Sequence, residues 1–265
     1  MTPSLLDELL RVGHRMADAA AAETLRLFRT TLHADNKAAD GFDPVTEADR
    51  AAERAMRAVL AELRPDDGIL GEEDAAVRGR SGLTWVIDPI DGTRAFLAGA
   101  PSWGTLIACG PTGEAPVIGL IDQPHIGERF TGSPRGAHLG GRFDRPLRTR
   151  QVAGLSDAIL FTTFPEVGTP GEAQGFRAVA DHVQLTRYGL DCYAYALVAM
   201  GQADLVIEAG LQPYDIQAPL ALVEAAGGIV TDWRGGPAHE GGRAVAAGCA
   251  AVHAAALRLL SEVAD

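Results

Sequence analysis

The chain has 265 residues, 47% of them hydrophobic and 22% charged, which is the composition of a folded protein and excludes an intrinsically disordered chain. A chain of this length can bury one large core or two closely packed subdomains. The formal net charge of −12 argues against non-specific binding to nucleic acid or to an anionic membrane, because both depend on a basic surface. It does not exclude a phosphate substrate, since a bound metal ion can reverse the local field.

Cysteine and histidine spacing argues against disulfide and zinc frameworks. The three cysteines, Cys109, Cys192 and Cys249, are far apart and form no Cys-x-x-Cys pair, so we expect buried thiols. No His-x-x-x-His pair occurs, so zinc held by histidine is not expected. The N-terminus lacks a basic segment followed by an apolar one, and no run of about eighteen apolar residues occurs, which predicts a cytoplasmic protein.

The first segments in chain order are helical. Leu5 to Phe28 carries apolar residues at helical spacing, which predicts a long amphipathic helix. The polar segment Thr31 to Phe42 should lead into a turn at Gly41, and its Lys37 is either solvated or close to a functional site. A second helix is expected to run to about Leu63.

The start of that second helix matches a capping box. Thr46 supplies the hydroxyl and Asp49, three residues later, supplies the acid. This structural role is sufficient to explain Thr46.

A short strand at Ile69 to Gly71 should run into the acids Glu72, Glu73 and Asp74. Three adjacent carboxylates are electrostatically costly unless a cation is near, although exposed acids in water need none. The segment is therefore either a solvated acidic loop or one side of a metal site.

Two further acids follow the most apolar strand of this half. Leu83 to Ile87 reads as a buried strand, and Asp88 and Asp91 come directly after it. Pro89 and Gly92 favour a sharp turn that brings both carboxylates to one point, and Thr93 is expected to cap a short helix beginning at Arg94. Oxygen ligands for a hard cation would then lie beside backbone amides for a phosphate, an arrangement suited to metal-assisted hydrolysis of a phosphate ester. An acidic turn without function is the alternative.

The remainder alternates strand and helix signals. An antiparallel meander is expected from Thr105–Cys109, Ala115–Ile121 and Gly127–Phe130, then a hairpin at Gly136–Arg142 and a junction between two halves at Arg142–Arg150. The second half is predicted to contain a strand at Ala158–Thr162, a helix at Glu172–Asp181, a helix at Ala194–Met200, a strand at Ala203–Glu208, a helix capped by Asp215 that runs to Ala226, and a strand at Ile229–Trp233.

The most specific pattern in the chain is Trp85-x-Ile87-Asp88-Pro89-Ile90-Asp91-Gly92-Thr93-x-x-Phe96. It resembles the first signature of the inositol monophosphatase-like family of magnesium-dependent phosphatases. Similar matches are Asp43-x-Val45-Thr46-x-x-Asp49, Ile69-x-Gly71-Glu72-Glu73, and Asp215-x-x-Ala218 with Glu224-Ala225-Ala226-Gly227-Gly228. The matches fall in both halves of the chain.

The resemblance implies an α+β fold of the layered αβαβα type, usually found as a homodimer. We expect subdomains at residues 1–145, with the first motif, and 146–265, with the second motif and the residues that select the substrate. The resemblance further implies that two or three Mg²⁺ ions are held by Glu72, Asp88, the Ile90 carbonyl, Asp91 and Asp215. Thr93 and Asp49 would position the attacking water, with Glu73 as a further water-positioning acid, and amides near Gly92 and Thr93 would hold the phosphate.

Within the family, Asp191-Cys192-Tyr193-Ala194-Tyr195 and Glu208-Ala209-Gly210-Leu211-x-Pro213-Tyr214-Asp215 look most like the histidinol-phosphate phosphatase branch, which acts in histidine biosynthesis. Arg187, Asp191 and Glu208, with Gly92, Thr93 and Asp215, are then the expected substrate-binding residues. The alternative for Asp191 is a helix cap, and for Glu208 it is an acceptor for a substrate hydroxyl.

Two departures and three alternative functions stay open. Leu190 stands where the histidinol branch usually has glycine, and Pro219, in the expected first turn of its helix, removes a backbone donor. The alternative substrates are an inositol phosphate or a 3′(2′),5′-bisphosphate nucleotide. A regulatory protein that binds RNA or the transcription machinery is the alternative outside enzymes.

Overall fold

The computed structural model of the protein describes residues 2–31, 34–36 and 44–263. The predicted turn at Gly41 and the two alternatives for Lys37 lie outside these residues. Within them, the helices are α1 (Pro3–Leu27), α2 (Glu47–Leu63), α3 (Thr93–Ala98), α4 (Pro170–Ala180), α5 (Cys192–Ala199), α6 (Pro213–Ala225) and α7 (Ala250–Leu260). None of them meets the requirements for a membrane-spanning segment.

Most strands of the described chain belong to two sheets. The strands are β1 (Ala34–Asn36), β2 (Pro44–Thr46), β3 (Gly68–Gly71), β4 (Leu83–Asp91), β5 (Gly104–Pro111), β6 (Ile118–Gln123), β7 (Glu128–Ser133), β8 (Gly136–Gly141), β9 (Arg145–Leu147), β10 (Ile159–Thr162), β11 (Leu185–Tyr188), β12 (Leu205–Leu211), β13 (Ile229–Thr231) and β14 (Gly242–Ala247). The first sheet has the order β3-β4-β5-β6-β7-β8-β9 and the second the order β11-β10-β12-β14-β13. Strands β1 and β2 pair with each other.

The elements stack as five alternating layers. Helices α1 and α2 cover one face of the first sheet, and their residues Leu9, Met16 and Met56 belong to the same core cluster as Trp85 of β4. Helices α5 and α6 lie between the two sheets, and α4 and α7 cover the outer face of the second sheet. Each sheet thereby buries both faces against helices. The predicted α+β fold with αβαβα layers is confirmed.

The central helix α6 approaches the first sheet unusually closely. A Cβ on Gly119 of β6 would lie 2.4 Å from the Ala218 carbonyl oxygen, and one on Gly132 of β7 would lie 2.5 Å from the Ala221 carbonyl oxygen. Glycine at these strand positions lets the helix backbone rest on the sheet backbone. This contact joins the C-terminal half of the chain to the N-terminal sheet.

The meander of β5, β6 and β7 is antiparallel, as predicted. The segment predicted as a hairpin at Gly136–Arg142 is instead the single strand β8, which pairs with both β7 and β9. Its terminal glycines, Gly136 and Gly141, have φ values of 107° and 85° and mark the turns at its two ends. The division into subdomains at residue 145 stays a prediction, and β9, which crosses that position, belongs to the first sheet.

Helix α6 begins earlier than predicted and continues through Pro219. It starts at Pro213, so Pro219 lies in its second turn and not in the first. The proline removes the amide that would bond to the Asp215 carbonyl, yet the helix continues to Ala225. Buried neighbours such as Leu220 and Leu222 hold it between the sheets.

Candidate active site

A bulge in strand β4 turns Asp88 and Asp91 toward the same face. Asp88 pairs with Leu106 and Asp91 with Gly104, so β4 contains one more residue than β5 over this stretch. Side chains three positions apart face opposite sides of a regular strand, and the extra residue restores them to one side. The strand therefore continues to Asp91 instead of ending at Ile87. The Thr105 hydroxyl supports the bulge by donating to the Pro89 carbonyl at 2.8 Å.

Asp215 joins these two acids from the first turn of α6. Each of the three carboxylates offers an oxygen within 4.8 Å of the other two. The backbone N–H of Gln212 donates to Asp215 Oδ2 at 2.6 Å. Gln212 is the N-cap of α6, so Asp215 is the third helical residue and not the cap that the sequence predicted. The hydrogen bond fixes the carboxylate against the strand acids.

The electrostatics of this cluster are unfavourable without a cation. Burial raises the pKa of Asp88 well above its usual value, and the charges of Glu72, Asp91 and Asp215 raise it further. Burial, with the charges of Asp191 and Asp215, does the same for the pKa of Asp91. Close carboxylates of this kind, which offer only oxygen donors, match a hard divalent cation. The cluster thus fits the Mg²⁺ that the sequence motif implies, and Glu72 lies beside it, in contact with Asp88.

Thr93 lies between Ile90 and Asp49. Its hydroxyl is 3.1 Å from the Ile90 carbonyl oxygen and 3.5 Å from Asp49 Oδ1, and it can donate to either. The cap of α3 is Gly92, with a φ of 83°, and the helix starts at Thr93 itself. The prediction that Thr93 caps this helix is therefore wrong, because glycine takes the left-handed position and the threonine hydroxyl turns back toward the bulge.

Asp49 closes the capping box of α2 while facing Thr93. Its Oδ2 accepts from the Thr46 backbone N–H at 2.8 Å and from the Thr46 hydroxyl at 2.5 Å. The other carboxylate oxygen points to Thr93, and Asp49 is fully buried. The capping box predicted for Thr46 and Asp49 is confirmed.

Asp191 approaches the same centre from the second half of the chain. It is the N-cap of α5, but its side chain makes no capping hydrogen bond and lies against Gly92, where a Cβ would be 2.9 Å from Asp191 Oδ2. Its backbone has a φ of 48°, a strained value for a residue with a side chain. Burial raises the pKa of Asp191 to about 6, while the charge of Arg94 opposes this.

The two positive φ values of this loop fall at Gly189, with 80°, and at Asp191. Leu190, which lies between them, is not among the residues with positive φ. The chain accordingly needs no glycine at position 190.

Glu208 is buried in the middle of strand β12 and receives three hydrogen bonds. Thr163 donates to Oε1 through its backbone N–H at 2.7 Å and its hydroxyl at 2.9 Å, and the Thr162 hydroxyl donates to Oε2 at 3.1 Å. Burial nevertheless raises the pKa of Glu208 to about 7, and the charge of Asp191 contributes to the increase. The hydroxyl groups that donate hydrogen bonds to Glu208 in this structure are those of Thr162 and Thr163.

Comparison with known proteins assigns the chain to a family. The model of the inositol monophosphatase family matches residues 5–264. The chain belongs to the inositol monophosphatase family. Members of this family are metal-dependent phosphatases, generally with Mg²⁺, and the chain is a phosphatase of this type.

Three similar proteins illustrate the range of names in the inositol monophosphatase family. A histidinol-phosphatase of Streptomyces coelicolor is 37% identical over 92% of this chain and 93% of its own length. The chloroplastic bifunctional phosphatase IMPL2 of Arabidopsis thaliana is 42% identical over 87% of this chain, which spans 66% of that protein. The structure of an inositol monophosphatase from Zymomonas mobilis has a TM-score of 0.86 and 40% identity, over 98% of this chain and 100% of that one.

Sequence reasoning missed several residues that shape this site. The fully buried Glu53 of α2 accepts from the backbone N–H groups of Glu73 at 2.8 Å and Asp74 at 3.1 Å, and thereby anchors the loop that carries Glu72. A carboxylate on the apolar face of an amphipathic helix was the available signal. The Cys192 backbone N–H donates to Asp91 Oδ2 at 2.6 Å, a contact between residues 101 positions apart.

Arg187 is the predicted site residue that the structure places farthest out. It lies on β11 at the edge of the second sheet, opposite Phe161 of β10, and its side chain is exposed. Among the described residues no side-chain contact joins it to the carboxylates. The guanidinium that acts on Asp191 is that of Arg94, which lies 4.8 Å from the ring centroid of Phe164.

Proposed function

We propose that this phosphatase converts L-histidinol phosphate to L-histidinol and phosphate. The observation that carries the proposal is the position of two further carboxylates, Asp191 and Glu208, beside the cluster of Asp88, Asp91 and Asp215. Asp191 lies against Gly92, and its charge acts on both Asp91 and Glu208. The site thus has acidic groups beyond those that a metal centre needs.

The charge state of these extra acids favours a cationic substrate. Burial holds the pKa of Asp191 at about 6 and that of Glu208 at about 7, so neither carboxylate is well solvated. Histidinol carries an ammonium group and an imidazole that can be protonated, and both would replace the missing solvation. Inositol offers only hydroxyl groups and would leave the acids without a counter-charge. The similarity to histidinol-phosphatases agrees with this preference.

The remaining roles follow the family motifs and the observed contacts. The predicted ligands Glu72, Asp88, the Ile90 carbonyl, Asp91 and Asp215 would hold Mg²⁺, with Glu73 next to them in the loop that Glu53 anchors. When bound, the metal would neutralise the phosphate and lower the pKa of a water molecule. Thr93 would orient that water by its hydroxyl, which Asp49 would hold, and the amides of Gly92 and Thr93 would bind phosphate oxygens.

An inositol 1-phosphate is the second candidate substrate, because the Zymomonas mobilis inositol monophosphatase aligns with nearly the whole chain. A 3′(2′),5′-bisphosphate nucleotide and an RNA-binding regulatory role are less favoured, since the net charge of −12 opposes polyanionic ligands.

We further propose two or three Mg²⁺ ions per site, a homodimer, and a cytoplasmic location.

A panel of phosphate esters tests the function. Purified protein with Mg²⁺ should release phosphate from histidinol phosphate with a higher kcat/KM than from inositol 1-phosphate or a 3′,5′-bisphosphate nucleotide, and excess chelator should stop the reaction. A preference for inositol 1-phosphate would overturn the proposed substrate and leave the assignment as a phosphatase intact. Full turnover in chelator would refute the metal-dependent mechanism.

A further inference from the structure

A buried hydroxyl at the centre of the molecule has no hydrogen-bond partner in the part of the chain that the structure describes. Tyr195 is 3% exposed, and its hydroxyl has no hydrogen-bond partner among the described residues. An unpaired buried hydroxyl costs stability, and folded proteins retain such a group where a ligand or a bound water completes it. The ring itself is well packed in the core between the two sheets.

Tyr195 belongs to helix α5, whose first turn lies at the site. Cys192, three residues earlier and on the same side of the helix, donates its backbone N–H to Asp91. The charges of Glu208, Asp91 and Asp215 all raise the pKa of the Tyr195 hydroxyl, as does its burial, which is the larger cause. The hydroxyl is therefore within electrostatic reach of acids at both ends of the site.

Glu208 has hydrogen-bonding capacity left after its three contacts within the protein. A carboxylate has about four lone-pair positions, and the two oxygens of Glu208 receive one bond from Thr162 and two from Thr163. The open position is on Oε2. A tyrosine hydroxyl can donate one hydrogen bond and accept another at the same time, whereas the carboxylates around it can only accept when they are ionised.

We propose that the Tyr195 hydroxyl is a substrate-binding group, which accepts a hydrogen bond from a nitrogen-bound hydrogen of the cationic end of the substrate and directs its own hydrogen to Glu208. This inference rests on the proposed histidinol phosphate activity and adds a residue to the part of the site that selects the substrate. Tyr195 extends the acidic site with a neutral acceptor, so an ammonium or imidazolium group can be held by three partners: Asp191, Glu208 and Tyr195.

The matched control lies on the same helix. Tyr193 donates its hydroxyl to Glu128 at 2.9 Å and packs its ring near Phe130, on the side of the first sheet. Tyr193→Phe and Tyr195→Phe thus remove the same group from two positions of α5, one paired within the protein and one not.

The test measures binding as well as turnover. Histidinol is titrated calorimetrically into the full chain in the presence of Mg²⁺ and inorganic phosphate, and the melting temperature of ligand-free protein is recorded. Tyr195→Phe should weaken histidinol binding and raise KM for histidinol phosphate roughly ten- to hundredfold, the loss expected for a hydrogen bond to a charged group. Hydrolysis of an uncharged aryl phosphate should be unchanged.

Stability separates a binding role from a structural one. Tyr195→Phe removes an unpaired group and should not lower the melting temperature, whereas Tyr193→Phe breaks a hydrogen bond and should lower it without affecting histidinol. A lower melting temperature with unchanged histidinol binding in Tyr195→Phe would mean that the hydroxyl holds a structural water, and would overturn this inference alone. Failure of the wild-type protein to bind histidinol or hydrolyse its phosphate would overturn the proposed substrate and this inference together.

Discussion

The two ends of the site contain carboxylates in opposite kinds of surroundings. At the strand end, Asp88, Asp91 and Asp215 face one another, and each raises the energy of its neighbours' charged form. At the second sheet, Glu208 is surrounded by donors from Thr162 and Thr163. The first group is stable with its charges only when a cation is present, whereas the second is partly satisfied by the protein itself.

This difference separates chemistry from selection. A cluster that depends on a metal ion is suited to holding a reactive centre, because its affinity for the cation comes from the repulsion that the cation relieves. A carboxylate already held by protein donors can discriminate among substrates through one remaining contact. Substitutions at the metal end should therefore affect all substrates, whereas substitutions at the other end should affect mainly the cationic one.

The largest effect is expected at the metal end. Asp88→Asn should abolish Mg²⁺-dependent phosphate release from every ester, while the metal-free protein keeps or gains stability because one repulsive charge is lost. Asp204→Asn is the matched control, since Asp204 is also buried but pairs with Arg150 at 2.5 Å, and its loss should destabilise the fold. Phosphate-release assays and urea unfolding measure both effects. Full turnover by Asp88→Asn would contradict the proposed role of Asp88 as a metal ligand.

At the end of the site that contains Asp191 and Glu208, the loss of activity on substitution should depend on the substrate. Asp191→Asn or Glu208→Gln should reduce kcat/KM for histidinol phosphate roughly ten- to hundredfold, because a charge-assisted contact of about 1.5–3 kcal/mol is lost. An uncharged aryl phosphate should be hydrolysed almost as fast as by the wild type. Equal losses on both substrates would show that these acids serve the metal centre instead.

Thr93 lies on the metal side, and its substitution should act on turnover. Thr93→Ala should lower kcat by more than about tenfold on all esters, because its hydroxyl would orient the water. The cost in stability should be about 1 kcal/mol, the value of the hydrogen bond to Ile90. Steady-state kinetics and thermal melting report the two quantities. A variant with normal kcat and slightly lower stability would give Thr93 a structural role only.

A separate effect concerns the stability of the fold and its dependence on pH. Burial raises the pKa of Glu208 from 4.5 to about 7, so the folded protein keeps a proton that the unfolded chain releases in that interval. Stability should therefore fall as the pH rises from about 4.5 to about 7, by on the order of 3 kcal/mol from this group. Glu208→Gln cannot titrate, and its unfolding free energy without metal or substrate should change less over this range. Parallel curves for the two proteins would contradict the burial argument.

The sequence predicted the metal end better than the other because that end is largely local. Asp88, Asp91 and Thr93 follow one strand, so their proximity could be inferred without the rest of the fold. The bulge could not, since it depends on the register between β4 and β5. The cap of α3 differs from the prediction for another reason, because Gly92 takes the left-handed position before the helix.

Residues that depend on packing between layers were out of reach of pattern analysis. Helix α5 is apolar on nearly all sides, so its periodicity does not single out Tyr195 as a buried residue with an unpaired hydroxyl. Strand β14 and helix α7 were not predicted, although β14 lies inside the second sheet. Their places follow from tertiary pairing and not from local signals.

Helix α2 spans the distance between two parts of the site that the chain itself separates. Asp49 at its start faces Thr93, and Glu53, one turn later, holds the backbone next to Glu72. Both acids belong to one helix, so the distance between them is fixed by the helix geometry. Helix α2 thereby sets the spacing between Thr93, which would position water, and the loop that carries Glu72. Any movement of α2 would displace Asp49 and Glu53 together and would act on both parts of the site at once.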